Sequence, residues 1–214
     1  MDKATAQHKR SDGNTVALDT HALGTLQYIR ASIEAAGVLA VPGSAGVAMG
    51  AVGLLAALLA ADPRLAPHWF SIWLVAGVTA FVCGSALMVH QAVTTGAPLY
   101  RGPARKFLLC LSPSLFAGAV ITFVLWHHHA KEMIPGIWLL LYGCGVAAAS
   151  TMTVRPVGVM GALFVALGVA ALGLSPRFSN EFLGAGFGGL HLAFGIIIGR
   201  SRRERPIQAR EVVP

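Results

Sequence analysis

The sequence predicts an all-α polytopic membrane bundle of six transmembrane helices, arranged as three antiparallel hairpins and preceded by an amphipathic interfacial helix. Two observations carry this prediction: the composition and the pattern of apolar runs. Of the 214 residues, 55% are hydrophobic and 12% are charged, whereas soluble domains contain about 25% charged residues. The mean hydropathy is +0.67. This composition excludes a disordered chain, a collagen-like chain and almost any soluble globular enzyme.

Six apolar runs have the length that a bilayer requires, which is about 20 residues for a helix. None of the six contains Asp, Glu, Lys or Arg. The runs are continuous rather than alternating, which excludes the strands of a membrane β-barrel. Because backbone groups in hydrocarbon must pair within the segment, each run is expected to be helical. The predicted spans are 43–61, 69–89, 107–126, 134–154, 157–175 and 182–199.

The rest of the chain forms short linkers and two polar tails. Residues 1–18 are polar and mixed, which predicts a disordered cytoplasmic tail. In 19–40, apolar residues recur every three or four positions, as in Leu23, Leu26 and Ile29, which predicts an amphipathic interfacial helix. Residues 41–199 then form the transmembrane domain, and 200–214 form a basic cytoplasmic tail.

The distribution of basic residues predicts the orientation of the bundle. With six spans, only Arg64, Lys131 and Arg177 of the 16 Lys and Arg residues lie on the side opposite the termini. The positive-inside rule therefore places both termini in the cytoplasm, with the chain in a cell inner membrane. Because no cleavable signal pattern precedes the first span, we expect that span to act as an uncleaved anchor.

Basic side chains cluster at the cytoplasmic ends of the spans. Such clusters favour anionic lipid headgroups, at about 1 kcal/mol per residue near the surface. No aromatic residues are interleaved with the basic residues of the C-terminal tail and no folded module is visible there, so nucleic acid is not an expected partner. The residues expected to contact headgroups are Arg105, Lys106, Arg200, Arg202, Arg203 and Arg205.

His191 is the strongest candidate for a functional residue, because it lies near the middle of the sixth apolar run. An ionisable residue at that depth is costly and is by default a functional hypothesis. Gly184 and Gly188 are four residues apart, which lets another helix approach closely. We expect His191 to point into the bundle towards a hydroxyl, a carbonyl or Tyr142. Two roles remain open: a packing residue, or a residue that lines a pathway.

The run of His127, His128 and His129 near Glu132, with His68 at another outer helix end, suggests a metal site as an alternative. Successive helical residues point about 100° apart, so these adjacent imidazoles cannot all bind one ion without unwinding the helix. We therefore favour a polar cap at the interface and predict no metal. The chain contains no GxSxG, SxxK or HExxH motif, so we expect no cofactor and favour a non-enzyme, although enzymatic activity stays open.

Two short echoes suggest a weak internal repeat. Met-Gly-Ala occurs at 49–51 and 160–162, and Ile-Trp-Leu occurs at 72–74 and 137–139. Chance matches are common in sequences rich in Ala, Gly and Leu, so whether the chain contains a true duplication is open.

The leading functional interpretation is a multi-pass membrane protein without catalytic chemistry, acting as a membrane subunit, a sensor-like partner or a structural partner. Gly-rich faces could bind a second copy or another membrane protein. The alternative is a small-solute transporter or channel whose pathway is lined by His191 and Tyr142. A polar cavity at the depth of His191 favours transport, whereas a dry, glycine-packed bundle favours a subunit.

Overall fold

The computed structural model describes residues 24–26, 28, 42–95, 103–151, 153 and 155–211. Within these ranges, only the backbone of 103–104 and 202–211 is described. The chain divides into two units, Met1–Ala36 and Gly37–Pro214. The expected disordered tail and most of the expected interfacial helix lie outside the described residues. Of the interfacial segment, 24–26 and 28 are described, and they are helical. All further description concerns the second unit.

The second unit is a helical bundle in which six helices are long and apolar enough to cross a membrane. The predicted all-α bundle with six membrane-crossing helices is confirmed, and the chain is a multi-pass membrane protein. Its described part contains no strand. The sixth span has three parts, α6, a π-helical segment and α7. The elements are α1 Gly43–Ala61, α2 Trp69–Thr94, α3 Pro103–His127, α4 Ile134–Ser150, α5 Arg155–Gly173, α6 Ser179–Leu183, the π segment Gly184–Leu190 and α7 His191–Glu211.

The helix ends follow from local sequence. Pro67, Pro135 and Pro176 lie in the first positions of helical turns, where the missing N–H would have no partner in any case. Helix α4 ends at Ser150, earlier than the predicted 154. The Thr151 hydroxyl donates to the Ala148 carbonyl at 2.9 Å, which offers the backbone an alternative to the helical ladder.

Helix α3 continues through Pro113, which cannot donate to the carbonyl of Leu109 one turn earlier. The hydroxyl of Ser112 donates to that carbonyl at 3.1 Å. A neighbouring side chain thus satisfies the acceptor that proline leaves free, which allows the helix to continue through the membrane.

Helix packing joins the spans into two groups. Helix α1 packs on α2 and on the sixth span, while α4 packs on α3 and α5. The pairs α1–α2 and α3–α4 thus agree with the first two expected hairpins. The third expected hairpin pairs α5 with the sixth span, but these two are not each other's main neighbours. Helix α5 packs chiefly on α4, and the sixth span packs chiefly on α1.

Glycine brings α1 into backbone contact with the sixth span. A Cβ atom added to Gly50 would lie 2.5 Å from the Leu192 backbone nitrogen and 2.9 Å from the Gly188 carbonyl oxygen. One added to Gly53 would lie 2.5 Å from the Phe187 carbonyl oxygen. Only glycine permits so close an approach, which is the usual way in which membrane helices gain packing energy.

Glycine also brings the backbones of α4 and α5 into contact. A Cβ atom on Gly143 would lie 2.6 Å from the Val165 backbone nitrogen, and one on Gly168 would lie 2.5 Å from that of Leu140. On the α5 side, a Cβ atom added to Gly161 would lie 2.7 Å from the Ala147 backbone nitrogen. Gly50 and Gly161, the central residues of the two Met-Gly-Ala echoes, therefore both lie at glycine contacts.

Candidate functional site

His191 lies at the start of α7 and points into the bundle. Its side chain is only 3% exposed, and its Nε2 atom lies 2.7 Å from the hydroxyl oxygen of Tyr142 on α4. The expected inward orientation and the expected bond to another span are thus confirmed. An imidazole turned towards lipid would have lost water without gaining a partner, at a cost of roughly 1–3 kcal/mol.

Aromatic rings surround this polar pair. The ring centroid of Phe164 on α5 lies 4.9 Å from that of Tyr142 and 5.3 Å from that of His191. The Phe187 ring in the π segment lies 5.2 Å from Tyr142 and is nearly parallel to the imidazole, with an interplanar angle of 16°. Phe164 and the neighbouring Leu139 are fully buried. Such a low-dielectric shell strengthens the hydrogen bond between His191 and Tyr142.

Gly186 makes room for this shell. A Cβ atom there would lie 2.5 Å from the Leu139 Cδ2 atom and 3.1 Å from the Phe164 Cε1 atom. Without a side chain at Gly186, Leu139 and Phe164 can close against the π segment one turn before His191. The glycine-rich sequence of the sixth span therefore shapes the site as well as the contact with α1.

The second ring nitrogen of His191 is not satisfied. Among the described residues, Nδ1 of His191 is the only buried side-chain nitrogen or oxygen without a hydrogen-bond partner. The backbone carbonyls of Gly186 and Phe187 lie close enough to interact with the ring, but neither makes a bond of good geometry to Nδ1. Apart from the hydroxyl-bearing Tyr142, His191 is also the only buried polar or charged residue in the part of the chain that the structure describes.

This arrangement limits the chemistry that the site can perform. A proton can move between the phenol and Nε2, but no described side chain continues the chain of hydrogen bonds beyond Nδ1. Among the described residues, no carboxylate is hydrogen-bonded to His191 through either ring nitrogen. Within the described residues, the geometry is that of an isolated polar contact inside an apolar shell.

Gly184 and Gly188, which the sequence places with His191, lie at the contact with α1 instead of beside Tyr142. A Cβ atom on Gly188 would lie 2.7 Å from Leu54 Cδ2, and one on Gly184 would lie 2.9 Å from Ala57 Cβ. Their role as residues of a pathway or packing site stays a prediction, and their described contacts are helix packing contacts.

A second polar contact, which sequence reasoning missed, joins three spans near the turn between α1 and α2. The Asn180 side-chain oxygen accepts a bond from Trp73 Nε1 at 3.1 Å, and its amide nitrogen donates to the Ala57 carbonyl at 3.0 Å. Asn180 in α6 thus links α2 to α1. In the sequence, Asn180 is a polar residue just before the sixth apolar run, which could have indicated an interhelical contact. The sequence alone does not say which helices its side chain contacts.

The other Trp of the Ile-Trp-Leu echo makes a similar bond. Trp138 Nε1 on α4 donates to the Thr122 hydroxyl on α3 at 2.9 Å, and that hydroxyl donates to the Gly118 carbonyl at 2.7 Å. Both Trp side chains therefore satisfy their N–H groups on a neighbouring span.

In the described part of the chain, His68 and the run 127–129 do not assemble into a metal site. His129 has a left-handed backbone with φ of 58°, and the rings of His127 and His128 meet edge to face with centroids 5.7 Å apart. Among the described residues, no three or more His, Cys, Asp or Glu side chains are placed to hold a metal ion. His127, His129, Glu132 and His68 are therefore not brought together as ligands.

The basic residues expected at lipid headgroups lie near the start of α3 and from Arg200 onwards in α7. Arg105 and Lys106 are exposed near the start of α3, and Arg200 is exposed on α7. Helix α7 continues to Glu211, so the backbone of Arg202, Arg203 and Arg205 is helical. The side chains of these three residues lie outside the described part.

No protein-family model matches this chain, and comparison with curated proteins and with solved structures gives no match either.

Proposed function

We propose that this chain is a non-catalytic membrane subunit that acts as a sensor-like or structural partner in a membrane assembly. The observation that supports this proposal best is the enclosure of His191 and Tyr142. Their bond lies inside a shell of aromatic and aliphatic side chains and between two glycine-packed helix pairs. A residue that lines a solute pathway needs contact with water or solute along part of its surface, and His191 is 3% exposed.

The location and orientation belong to the same proposal. We place the protein in a bacterial-type inner membrane with both termini in the cytoplasm, on the basis of the distribution of Lys and Arg. The basic residues at the cytoplasmic ends of α3 and α7 would then bind anionic headgroups. Lipid is the one partner that six membrane-crossing helices imply directly.

The surface for a protein partner has to lie outside the two glycine contacts, because those glycines are already used within the chain. Gly77 on α2, Gly173 at the end of α5 and Gly199 on α7 have no atom within 4 Å of an added Cβ. If a second copy or another membrane protein packs through small residues, these open positions are the ones that remain available among the described glycines on the spans.

The size of the particle in native membranes tests the subunit proposal. After extraction in a mild detergent, the chain should migrate in native gels as a larger complex than the same chain purified to homogeneity. Migration of the native-membrane material at the size of the purified chain would contradict the proposal.

The transporter or channel remains a second candidate, and the unpartnered Nδ1 atom of His191 is the observation that favours it. Cysteine accessibility separates the two functions. In a background with Cys83, Cys110 and Cys144 replaced by Ala, His191→Cys should stay unreactive towards a charged, membrane-impermeant thiol reagent. Phe178→Cys, exposed at the outer turn, is the reactive control. Rapid labelling of His191→Cys, together with solute flux into liposomes that Tyr142→Phe abolishes, would establish the pathway function instead.

A further inference from the structure

The sixth span changes its winding just before His191. The seven residues Gly184–Leu190 form a π-helix between two α-helical parts. A π-helix is rare, closes its hydrogen bonds between residues five apart, and is found mostly as single turns at functional sites. Because it takes up more residues per turn than an α-helix, it shifts the register of everything that follows by about one residue.

The observed register decides which residues of α7 meet the other spans. It places His191 against Tyr142 and sets Gly195 against the first turn of α1. If the segment were wound as an α-helix, the residues after it would turn by about 100° and advance by about 1.5 Å. Leu190 would then take the position of His191, and Phe194 would take that of Gly195.

Three features make the second register accessible. Four of the seven residues in the segment are glycine, whose backbone adopts either winding at low steric cost. Leu190 is apolar and suits the shell formed by Phe164 and Leu139. The observed register also leaves Nδ1 of His191 without a partner, so the side chain gives up only one hydrogen bond, that to Tyr142, when the register changes.

The first turn of α1 holds the observed register in place. A Cβ atom on Gly195 would lie 2.5 Å from the Val47 backbone nitrogen, and one on Gly43 would lie 2.6 Å from the Gly199 nitrogen. A phenylalanine at the position of Gly195 does not fit unless this end of α1 moves away. The register of the sixth span is therefore coupled to the position of the cytoplasmic end of α1.

We propose that the sixth span is a two-register switch, in which the Gly184–Leu190 segment converts between π and α winding and thereby rotates α7. Helix α7 is continuous to Glu211 and carries the basic segment that follows Gly199. A turn of about 100° at His191 is therefore transmitted along one helix to that segment. The two registers are a property of this chain alone, so they can be tested without a partner and independently of the proposed subunit function.

The test measures the distance between spin labels on the full chain in nanodiscs. The labels are placed at Thr151→Cys, at the end of α4, and Ser201→Cys on α7, both exposed, with the three native cysteines replaced by Ala. Gly189→Ala favours α winding without a clash, because an added Cβ meets only the Gly184 carbonyl oxygen, at 3.9 Å. Gly77→Ala on α2, where an added Cβ meets no atom within 4 Å, is the matched control.

We expect the parent and Gly77→Ala to share one dominant distance, and Gly189→Ala to gain a second population shifted by several ångströms. Tyr142→Phe should raise the same second population, which keeps the test decisive if Gly189→Ala does not fold. Deletion of Gly189 removes the extra residue, so it should give the parent distance alone, even when combined with Tyr142→Phe. A distance distribution that Gly189→Ala or Tyr142→Phe leaves unchanged, or a second population in the deletion variant, would overturn the switch.

Discussion

Gly50→Ala is the most direct test of the contact between α1 and the sixth span. The added methyl would lie 2.5 Å from the Leu192 backbone nitrogen and 2.9 Å from both the Leu192 Cα atom and the Gly188 carbonyl oxygen. Non-bonded carbon atoms prefer a separation of about 3.5–4.0 Å, so the two backbones must move apart by about 1 Å. No flexible side chain is available to give way instead.

The expected loss of stability follows from two opposing contributions. Overpacking a well-packed site costs about 1–3 kcal/mol, and a clash between two backbones belongs at the upper end. Replacing a helical glycine with alanine returns about 1 kcal/mol. We therefore expect Gly50→Ala to lower the free energy of unfolding by about 2 kcal/mol. The same replacement at Gly77, which has open space around it, should be neutral or stabilising by up to about 1 kcal/mol.

Reversible unfolding in mixed micelles, or steric trapping in bicelles, measures both variants under the same conditions. The free energies of unfolding of Gly50→Ala and Gly77→Ala should differ by about 2–3 kcal/mol. Alanine improves helix propensity at both positions, whereas only Gly50→Ala introduces a backbone clash. Equal stabilities of the two variants would refute the argument that backbone contact at Gly50 stabilises the bundle.

Four further predictions follow from the polar contacts and the charge distribution. A double-mutant cycle of Tyr142→Phe and His191→Leu should give a coupling of about 0.6 kcal/mol, and at most about 1.7, as for other hydrogen bonds between membrane helices; a coupling of zero would mean that the bond contributes nothing. Asn180→Leu removes two interhelical bonds and should cost about 1–2 kcal/mol in the same unfolding assay, whereas Trp73→Phe removes one of them and should cost about half as much. For topology, a C-terminal fusion to a reporter active only in the cytoplasm should be active, and activity of a periplasmic reporter there would refute the six-span orientation. Finally, a peptide of the last 15 residues should bind anionic vesicles less tightly as salt increases or when its arginines are replaced by Gln, and salt-independent binding would exclude the headgroup interaction; the arginines to replace are Arg200, Arg202, Arg203 and Arg205.

Local properties of the sequence were sufficient to predict the spans and the orientation of one side chain. The first span was predicted with the bounds that α1 has in the structure, because bilayer thickness determines how long an apolar run must be. The inward direction of His191 was predictable because an imidazole in lipid has no hydrogen-bond partner. Tyr142 was among its expected partners, since few other polar groups are available within the spans.

The pairing of helices and the winding of the sixth span were decided only in the tertiary structure. Glycine and alanine occur in every span, so composition does not say that Gly50 meets Leu192 or that Gly143 meets Val165. The π winding of Gly184–Leu190 could not be predicted either, because its sequence is compatible with an α-helix. In the folded bundle, this winding occurs together with contacts to α1 through Gly195 and to α4 through His191. Hydrophobic length is a local property of the chain, whereas register depends on which distant surfaces interlock, and only the folded bundle brings those surfaces together.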